Sequence, residues 1–493
     1  MPRSNRDQID WSKTSGADFL QLDVREAPPG GLSDWLARRL RQAIADGRLP
    51  IGSRLPATRV LAAQLGVSRG VVTEAYRRLG EDGHVVGRGR AGTIVVAAPV
   101  STSEAAAPEP TAVPRKTSSV FGSTPGADVF DALRTSPARI DLSPGLPDLA
   151  AFPRSAWLRA ERAVISELPA ADLGYGDPRG TPALRRAVAV WLAANRGIKV
   201  APEEVVIVAG TAQAIGLIAQ LLRDDGITAM AVEDPGSLGA RMHLRYWGLD
   251  TPPIPVDSEG LRVDALDDAP SVLLTPAHQF PMGVVLGGER RRALMRWAAA
   301  GGLIVEDDYD AEHRYDRPPV AAVRAMLPER VFYAGSVSKL LAPALRIGWL
   351  LAPPRYRDAV VDAKRFTDLG NAALPQLVLA RLMQSGALER QLRHLRRRHR
   401  RRRDAMIRAI AEQLPDASVH GAAAGLHLTI TFDGAFSDVS LAAAALARGV
   451  RTQPLSWHAQ RPHRPGLVLG HAASTPTDIT EGIAIIAEEL RRL

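Results

Sequence analysis

Only five lysines occur in the 493 residues, and one of them, Lys339, follows a short apolar run in the context VFYAGSVSKLLAPALRIGW. A lysine held among apolar residues and near an arginine loses part of its preference for the charged state, and the neutral amine can form a Schiff base with an aldehyde. Ser336, Ser338 and Arg346 flank it as phosphate ligands would. Upstream, GTAQA (210–214) reads as a strand-to-helix turn, and the free backbone N–H groups of Thr211 and Ala212 offer an anion a seat at a helix N-terminus. A phosphate seat together with a Schiff-base lysine points to pyridoxal 5′-phosphate (PLP). The segment VEDDY supplies the matching electronics: Asp307 to keep a pyridine nitrogen protonated, and Tyr309 to hydrogen-bond the ring oxygen. Each signal is common alone, since a lysine often ends a strand and Gly-Thr is often a simple cap. Their order along the chain is what gives them force.

A second chemistry is written in arginine. Residues 31–97 hold eleven Arg against five acids, and RQLRHLRRRHRRRR (390–403) holds nine Arg and no acid, so with a net charge of +9 the remainder is mildly acidic. A basic patch near one end suits polyphosphate, because each neutralised phosphate releases condensed counterion. The 390–403 run continues a helical pattern through Leu382, Leu388, Leu392 and Leu395, and reads as a solvated helix face.

The elements that must position these groups follow from periodicity. WLARRLRQAIADG is predicted as an amphipathic helix with Ser33 and Asp34 at its start and Gly47 at its stop. LAAQLG and RGVVTEAYRRLGEDG, the latter capped by Ser68, are two helices joined through a small turn, and HVVGRGRAGTIVV is a hairpin. Together 31–97 is predicted to form a winged helix-turn-helix, an α+β domain. Residues 98–131 are rich in Ala, Pro, Ser and Thr and are expected to be a linker. Residues 132–493 alternate short β-branched runs (205–210, 227–234, 271–276, 302–308, 331–339) with helices, which predicts a parallel sheet covered on both faces. Ligands in such sheets sit at the carboxyl ends of the strands, where every polar motif falls.

The stretch from RLPATR to GTIVV resembles the winged helix of the GntR family of transcription factors along its whole length. The resemblance implies double-stranded operator DNA as partner, with contacts from Arg54, Thr58 and Arg59, from Ser68, Arg69, Thr73, Tyr76 and Arg77 on the recognition helix, and from Gly92 and Thr93 in the wing. Arg69, near the helix start, is the expected base reader, and Arg54 and Arg77 are expected to hold phosphates. The long domain resembles fold type I aminotransferases from DLSPGLPDLAAFP through YGDPRGTPALR, GTAQA, EDPG, TPAHQFPMG and EDDYDAEHRY to SVSK. The two together are the layout of the MocR subfamily, and TPAHQFP and EDDYDAEHRY are typical of it. This implies an α/β transferase-like domain with a small C-terminal α/β subdomain and PLP on Lys339. It implies Asp307 and Tyr309 at the ring, a cup of Thr211, Ala212, Ser336, Ser338 and Arg346, and a head-to-tail homodimer in which Tyr175 of the neighbouring copy reaches the phosphate.

Three departures bear on activity. Phe280 stands where aminotransferases have the Asn of Asn-Pro-Thr-Gly, and Ser237 stands where many relatives carry Tyr. The arginine expected to bind a substrate carboxylate is missing just before LGHAA, with Arg464 the nearest candidate and His278 and Gln279 as further pocket residues for an amino-acid or amine effector. The expected protein is a cytoplasmic PLP-dependent regulator that controls PLP synthesis or amino-acid and amine metabolism. The competing expectation is a working aminotransferase with an ancillary DNA-binding domain. The absence of cysteine excludes disulfides, Cys-ligated metals and thiol nucleophiles, and no charge-free run of eighteen residues predicts a membrane span.

Overall fold

The computed structural model describes residues 22, 24–28, 31–89, 92–97, 120–122, 125–315 and 320–493. The chain divides into two compact units, Met1–Arg115 with Leu149–Ala151, and Lys116–Asp148 with Phe152–Leu493. In the first, α1 (Leu32–Ala45), α2 (Thr58–Leu65) and α3 (Arg69–Glu81) precede the hairpin of β1 (Val85–Gly87) and β2 (Thr93–Val95), paired Val85 to Val95. Helix α3 buries Val72, Ala75, Tyr76 and Leu79, the i, i+3, i+4, i+7 stripe of an amphipathic helix. These close against Trp35, Leu36, Leu40 and Ile44 of α1 and Leu61 of α2. Ser68 caps α3 through the Val71 amide at 3.4 Å, as its sequence position predicts.

Most of the expected linker, 98–119 with 123 and 124, lies outside the described residues. Its last part does not behave as a linker: α4 (Val129–Thr135) is helical, and Phe121 stacks on Trp457 at 5.2 Å with Phe130 edge-on to the same ring. The second unit therefore starts earlier than residue 132, because Val120, Phe121, Val129 and Phe130 find an apolar partner far along the chain in Trp457.

Among the described residues, the second unit is built on an eight-stranded sheet. Its strands are β3 (Val206–Val208), β4 (Ala231–Asp234), β5 (Pro253–Asp257), β6 (Gly260–Leu261), β7 (Ser271–Leu274), β8 (Leu303–Asp308), β9 (Val331–Ser336) and β10 (Gly348–Leu351), in the order β3-β10-β9-β8-β7-β4-β5-β6. The run β9-β8-β7-β4-β5 is parallel; β9, β8, β7 and β4 fall on predicted runs, whereas β5 was not among them. The sheet is mixed, however, because β10 runs antiparallel between β9 and β3, and β6 returns on β5 as a hairpin. Apolar clusters cover the sheet from both sides, one around Leu217, Ile218 and Phe332 and another around Leu192, Tyr333 and Trp349.

A smaller antiparallel sheet, β11 (Ser418–His420), β12 (His427–Thr431), β13 (Gln453–Pro454) and β14 (Gly466–Gly470) in the order β11-β12-β14-β13, packs with the long helix α6 (Ala387–Gln413) and the C-terminal helix α7 (Pro476–Leu490). The arginine run lies on α6, where Leu388, Leu392 and Leu395 are buried. Leu382 belongs to a separate helix, α5 (Ala373–Gln384), broken from α6 at Gly386 (φ 66). The run is more than a solvated face: Arg398 and Arg402 both bond Asp148 at 2.8 Å, and Arg396 donates to the Glu312 carbonyl at 2.9 Å, while Arg393, Arg397 and Arg401 stand in solvent. Among the described residues, no helix is long and apolar enough to cross a membrane.

Candidate cofactor cleft and DNA-binding face

Because β10 is antiparallel to both neighbours, β3 runs parallel to β9, and the carboxyl ends of β3, β4, β7, β8 and β9 share one edge of the sheet. That edge brings together Thr211, Asp307, Tyr309 and Lys339. Asp307 leaves β8 toward the cleft, and its buried Oδ1 has no hydrogen-bond partner among the described residues. An orphaned carboxylate oxygen in so dry a place calls for a donor, and a protonated pyridine nitrogen is one. Burial pushes Asp307 up to about 7, the charges of Asp308 and Asp310 add to this, and Lys339 opposes it. Burial lowers Lys339 from its ordinary value against the pull of Asp310 and Asp307, with Arg134 lowering it further. A lowered lysine beside an acid without a partner fits an aldehyde cofactor with a basic ring nitrogen.

The residues expected to cradle a phosphate come from two loops. Gly210 (φ 84) turns the chain into the helix Thr211–Asp224, whose first N–H groups point out of the turn. Arg346 donates to the Ala209 carbonyl, and a Cβ on Gly210 would lie 3.6 Å from its guanidinium, so this arginine is already laid across the helix start. Ser336 is buried, and its Oγ accepts from the Ser338 amide at 3.4 Å. A Cβ on Gly145 (φ 75) would come 3.1 Å from Lys339 Nζ, which makes this residue of the SPG turn a wall of the lysine's space. Sequence reasoning passed over Gly145, because Ser-Pro-Gly signals only a turn.

Burial, followed by the charges of Asp310, Asp307 and Glu233, raises Tyr309 well above its ordinary value, so its hydroxyl keeps its proton and can donate. Phe280 packs edge-on to the Tyr309 ring, with centroids 6.1 Å apart. Ser237, in the place of the family's tyrosine, caps a helix through the Ala240 amide at 3.2 Å.

The expected effector residues do not line a common pocket. Gln279 is 1% exposed and spends its amide on the carbonyls of Pro235 and Phe280, while its Oε1 accepts from the Met282 amide, so it braces the turn. His278 lies behind Tyr309 at 2% exposure. Arg464 is a surface side chain paired with Asp433 at 2.9 Å. The strand that precedes LGHAA, β14, presents buried Leu467, Val468 and Leu469 and no cation. Tyr175 is 97% exposed on the rim of a hollow of about 600 Å³ shared with Asp368, Asn371 and Gln376.

On the first unit, Arg54, Arg59, Ser68, Arg69, Thr73 and Arg77 are exposed, and Thr58, Gly92 and Thr93 half-buried. Arg54 lies so close to Gly92 that a Cβ there would meet its Nε at 2.5 Å, which ties the wing to the entry of α2. Arg69 Nε donates to Thr58 Oγ1 at 3.4 Å, so these two share one face. Two expected contacts come out differently. Tyr76 is 7% exposed and its hydroxyl donates to the Pro56 carbonyl at 2.8 Å, because its helical position falls on the core stripe. Arg77 is bonded to Glu74 and Glu81 of its own helix, one turn away on either side, which offsets its charge.

The family model for bacterial regulatory proteins of the gntR family matches residues 32–95, and that for aminotransferase class I and II matches residues 139–467. The chain is 34% identical over 464 residues to the probable rhizopine catabolism regulatory protein MocR of Rhizobium meliloti, covering 91% of each. It is 31% identical to the pyridoxine biosynthesis transcriptional regulator PdxR of Corynebacterium glutamicum, over 84% of this chain and 86% of that one. A solved kynurenine aminotransferase of Pyrococcus horikoshii matches with a TM-score of 0.67 at 27% identity, covering 74% of this chain and 93% of the other. The second unit thus has the fold of type I PLP aminotransferases and the first a gntR helix-turn-helix, and the chain belongs to the MocR-type transcriptional regulators of the GntR family.

Proposed function

We propose that this regulator holds PLP on Lys339 and that the state of that site sets its affinity for operator DNA. The observation that carries the reading is Asp307 Oδ1, buried and without a hydrogen-bond partner among the described residues, at the same strand edge as a lysine whose charge burial disfavours. PLP would supply an aldehyde for the lysine amine and an electron-withdrawing ring. Asp307 holds the proton at the ring nitrogen, Tyr309 donates to the ring oxygen, and Thr211, Ala212, Ser336, Ser338 and Arg346 neutralise the phosphate. Cofactor or amine then acts by linkage: whichever state of the second unit it stabilises, DNA affinity changes by the difference between states, with no turnover required. The protein works in the cytoplasm as a head-to-tail homodimer, with the exposed Tyr175 given to the neighbouring copy's phosphate. Its targets are genes of PLP synthesis or of amino-acid and amine metabolism, the first supported by the resemblance to a pyridoxine biosynthesis regulator.

A working aminotransferase is the second reading, favoured by the retained Lys339, Asp307 and Tyr309. Two features count against it: Phe280 leaves the ring oxygen without the asparagine of aminotransferases, and the cation-free β14 leaves a substrate carboxylate without a bidentate partner. The deciding experiment is binding to the DNA upstream of the chain's own gene, with and without PLP, at two salt concentrations, alongside an absorbance spectrum. A change of affinity with PLP and a visible cofactor band support the regulator. Affinity indifferent to both PLP and amines, with steady conversion of an amino acid to its oxo acid, would establish the enzyme.

A further inference from the structure

His278 and Asp310 form a buried pair whose position neither the cofactor contacts nor the fold requires. His278 Nδ1 stands 3.0 Å from the Tyr309 hydroxyl and 3.0 and 3.1 Å from the two oxygens of Asp310. Both side chains are 1% exposed. The imidazole is fixed in place by glycine: a Cβ on Gly425 (φ 75) would fall 2.0 Å from its Cε1. Asp310 is held below the usual carboxylate range; burial alone would raise it, and the charge and hydrogen bond of His278, with the charges of His427 and His313, outweigh that. An ionised carboxylate only accepts, so it draws the imidazole proton onto Nδ1.

That assignment decides where Tyr309 points. Nδ1 lies 3.0 Å from both an Asp310 oxygen and the Tyr309 oxygen, so its N–H is shared between them and the tyrosine oxygen accepts from the histidine. Tyr309 is then left to donate its own proton into the cleft. Phe280 packs edge-on to the Tyr309 ring and offers no hydrogen bond at the position where aminotransferases carry asparagine. We propose that His278, oriented by Asp310, is a positioning residue that takes over the missing asparagine's task by directing the Tyr309 hydroxyl toward the ring oxygen of the cofactor. This rests on the reading that PLP occupies Lys339.

The test uses the full-length protein loaded with PLP. Occupancy is read as a pyridoxyl mass retained on Lys339 after borohydride reduction, and the pH at which the visible band titrates is read separately. A hydrogen bond donated to the ring oxygen stabilises its negative charge, so losing it moves that midpoint upward. Tyr309→Phe and His278→Leu should each raise it by about one pH unit. The double variant should add nothing to Tyr309→Phe, because both act through one bond. His278→Asn, which returns an N–H donor near the Nδ1 position, should restore most of the wild-type midpoint. His278, Asp307, Lys339, His427 and His313 all surround this point, so additive shifts in the double variant would assign His278 a purely Coulombic effect and overturn the proposal. A His278→Leu midpoint equal to wild type at equal occupancy would overturn it too. Should His278→Leu not fold, His278→Ala carries the same comparison. A wild-type protein without the pyridoxyl mass would instead refute the PLP reading itself.

Discussion

On the recognition helix, Arg69, Thr73 and Arg77 stand in solvent, and the charged groups are balanced by neighbours one turn away, such as Glu74 and Glu81. At the strand ends of the second unit, Asp307, Tyr309, Asp310 and Lys339 are crowded where water cannot screen them, and each is displaced from its ordinary titration range. The difference teaches how each region does its work. A solvated face binds a polyanion through several modest, salt-screened contacts that add up. A dry cleft stores unsatisfied groups that only one ligand chemistry completes, so single residues there count for much more.

The largest expected effect is at Lys339. Lys339→Ala should abolish the visible band and the pyridoxyl mass altogether while the fold, read by circular dichroism, is retained; a surviving band would place the attachment elsewhere. Asp307 should show its effect as a pH dependence. Its carboxyl lies near 7 in the folded protein, above its unfolded value. The stability it contributes is therefore full below about pH 4 and is lost as the pH rises through 7. In the cofactor-free protein Asp307→Asn should remove that loss, so the two denaturation midpoints, compared between pH 5 and 8, should diverge by an amount on the order of 1 kcal/mol. Parallel curves would mean that Asp307 is solvated after all.

On the solvated side, Arg69→Ala should weaken operator binding by about 1 to 3 kcal/mol and relax the preference at one base pair, as a titration against single-base operator variants would show. Tyr76→Phe removes the bond to Pro56 and should cost about 1 kcal/mol of stability, with the salt dependence of DNA binding unchanged. If DNA binding fell and stability held, Tyr76 would belong to the interface. The smallest effect is expected for Arg77→Ala: because Glu74 and Glu81 already occupy it, the slope of log affinity against log salt should fall by less than about one. A full unit would mean that the arginine leaves its glutamates for a phosphate.

Much of this was legible in the sequence. The three helices and the hairpin of the first unit follow from short-range periodicity and from caps such as Ser68, and β3, β4, β7, β8 and β9 from compact β-branched runs, whereas β5, PIPVD, carries no such run. The antiparallel β10 was not legible, since GWLL reads the same in either direction and only its neighbours decide its sense. Within the site, the types and spacing of Lys339, Asp307 and Tyr309 announced themselves. His278 showed only as a pocket candidate, because its partner Asp310 lies 32 residues away and its glycine wall at Gly425 further still.

The sequence by itself therefore determined two sets of residues, an arginine-rich helix and a strand-end lysine with its acid, because residue type and local spacing suffice to specify them. Tertiary structure alone decided which side chains are free to act. Tyr76 is drawn to the core, Gln279 to the backbone, Arg464 to Asp433 and His278 to Asp310, because each of those fates depends on burial and on partners. A polar group's chemistry is set by what desolvates and satisfies it, and those neighbours come from parts of the chain that local spacing does not relate.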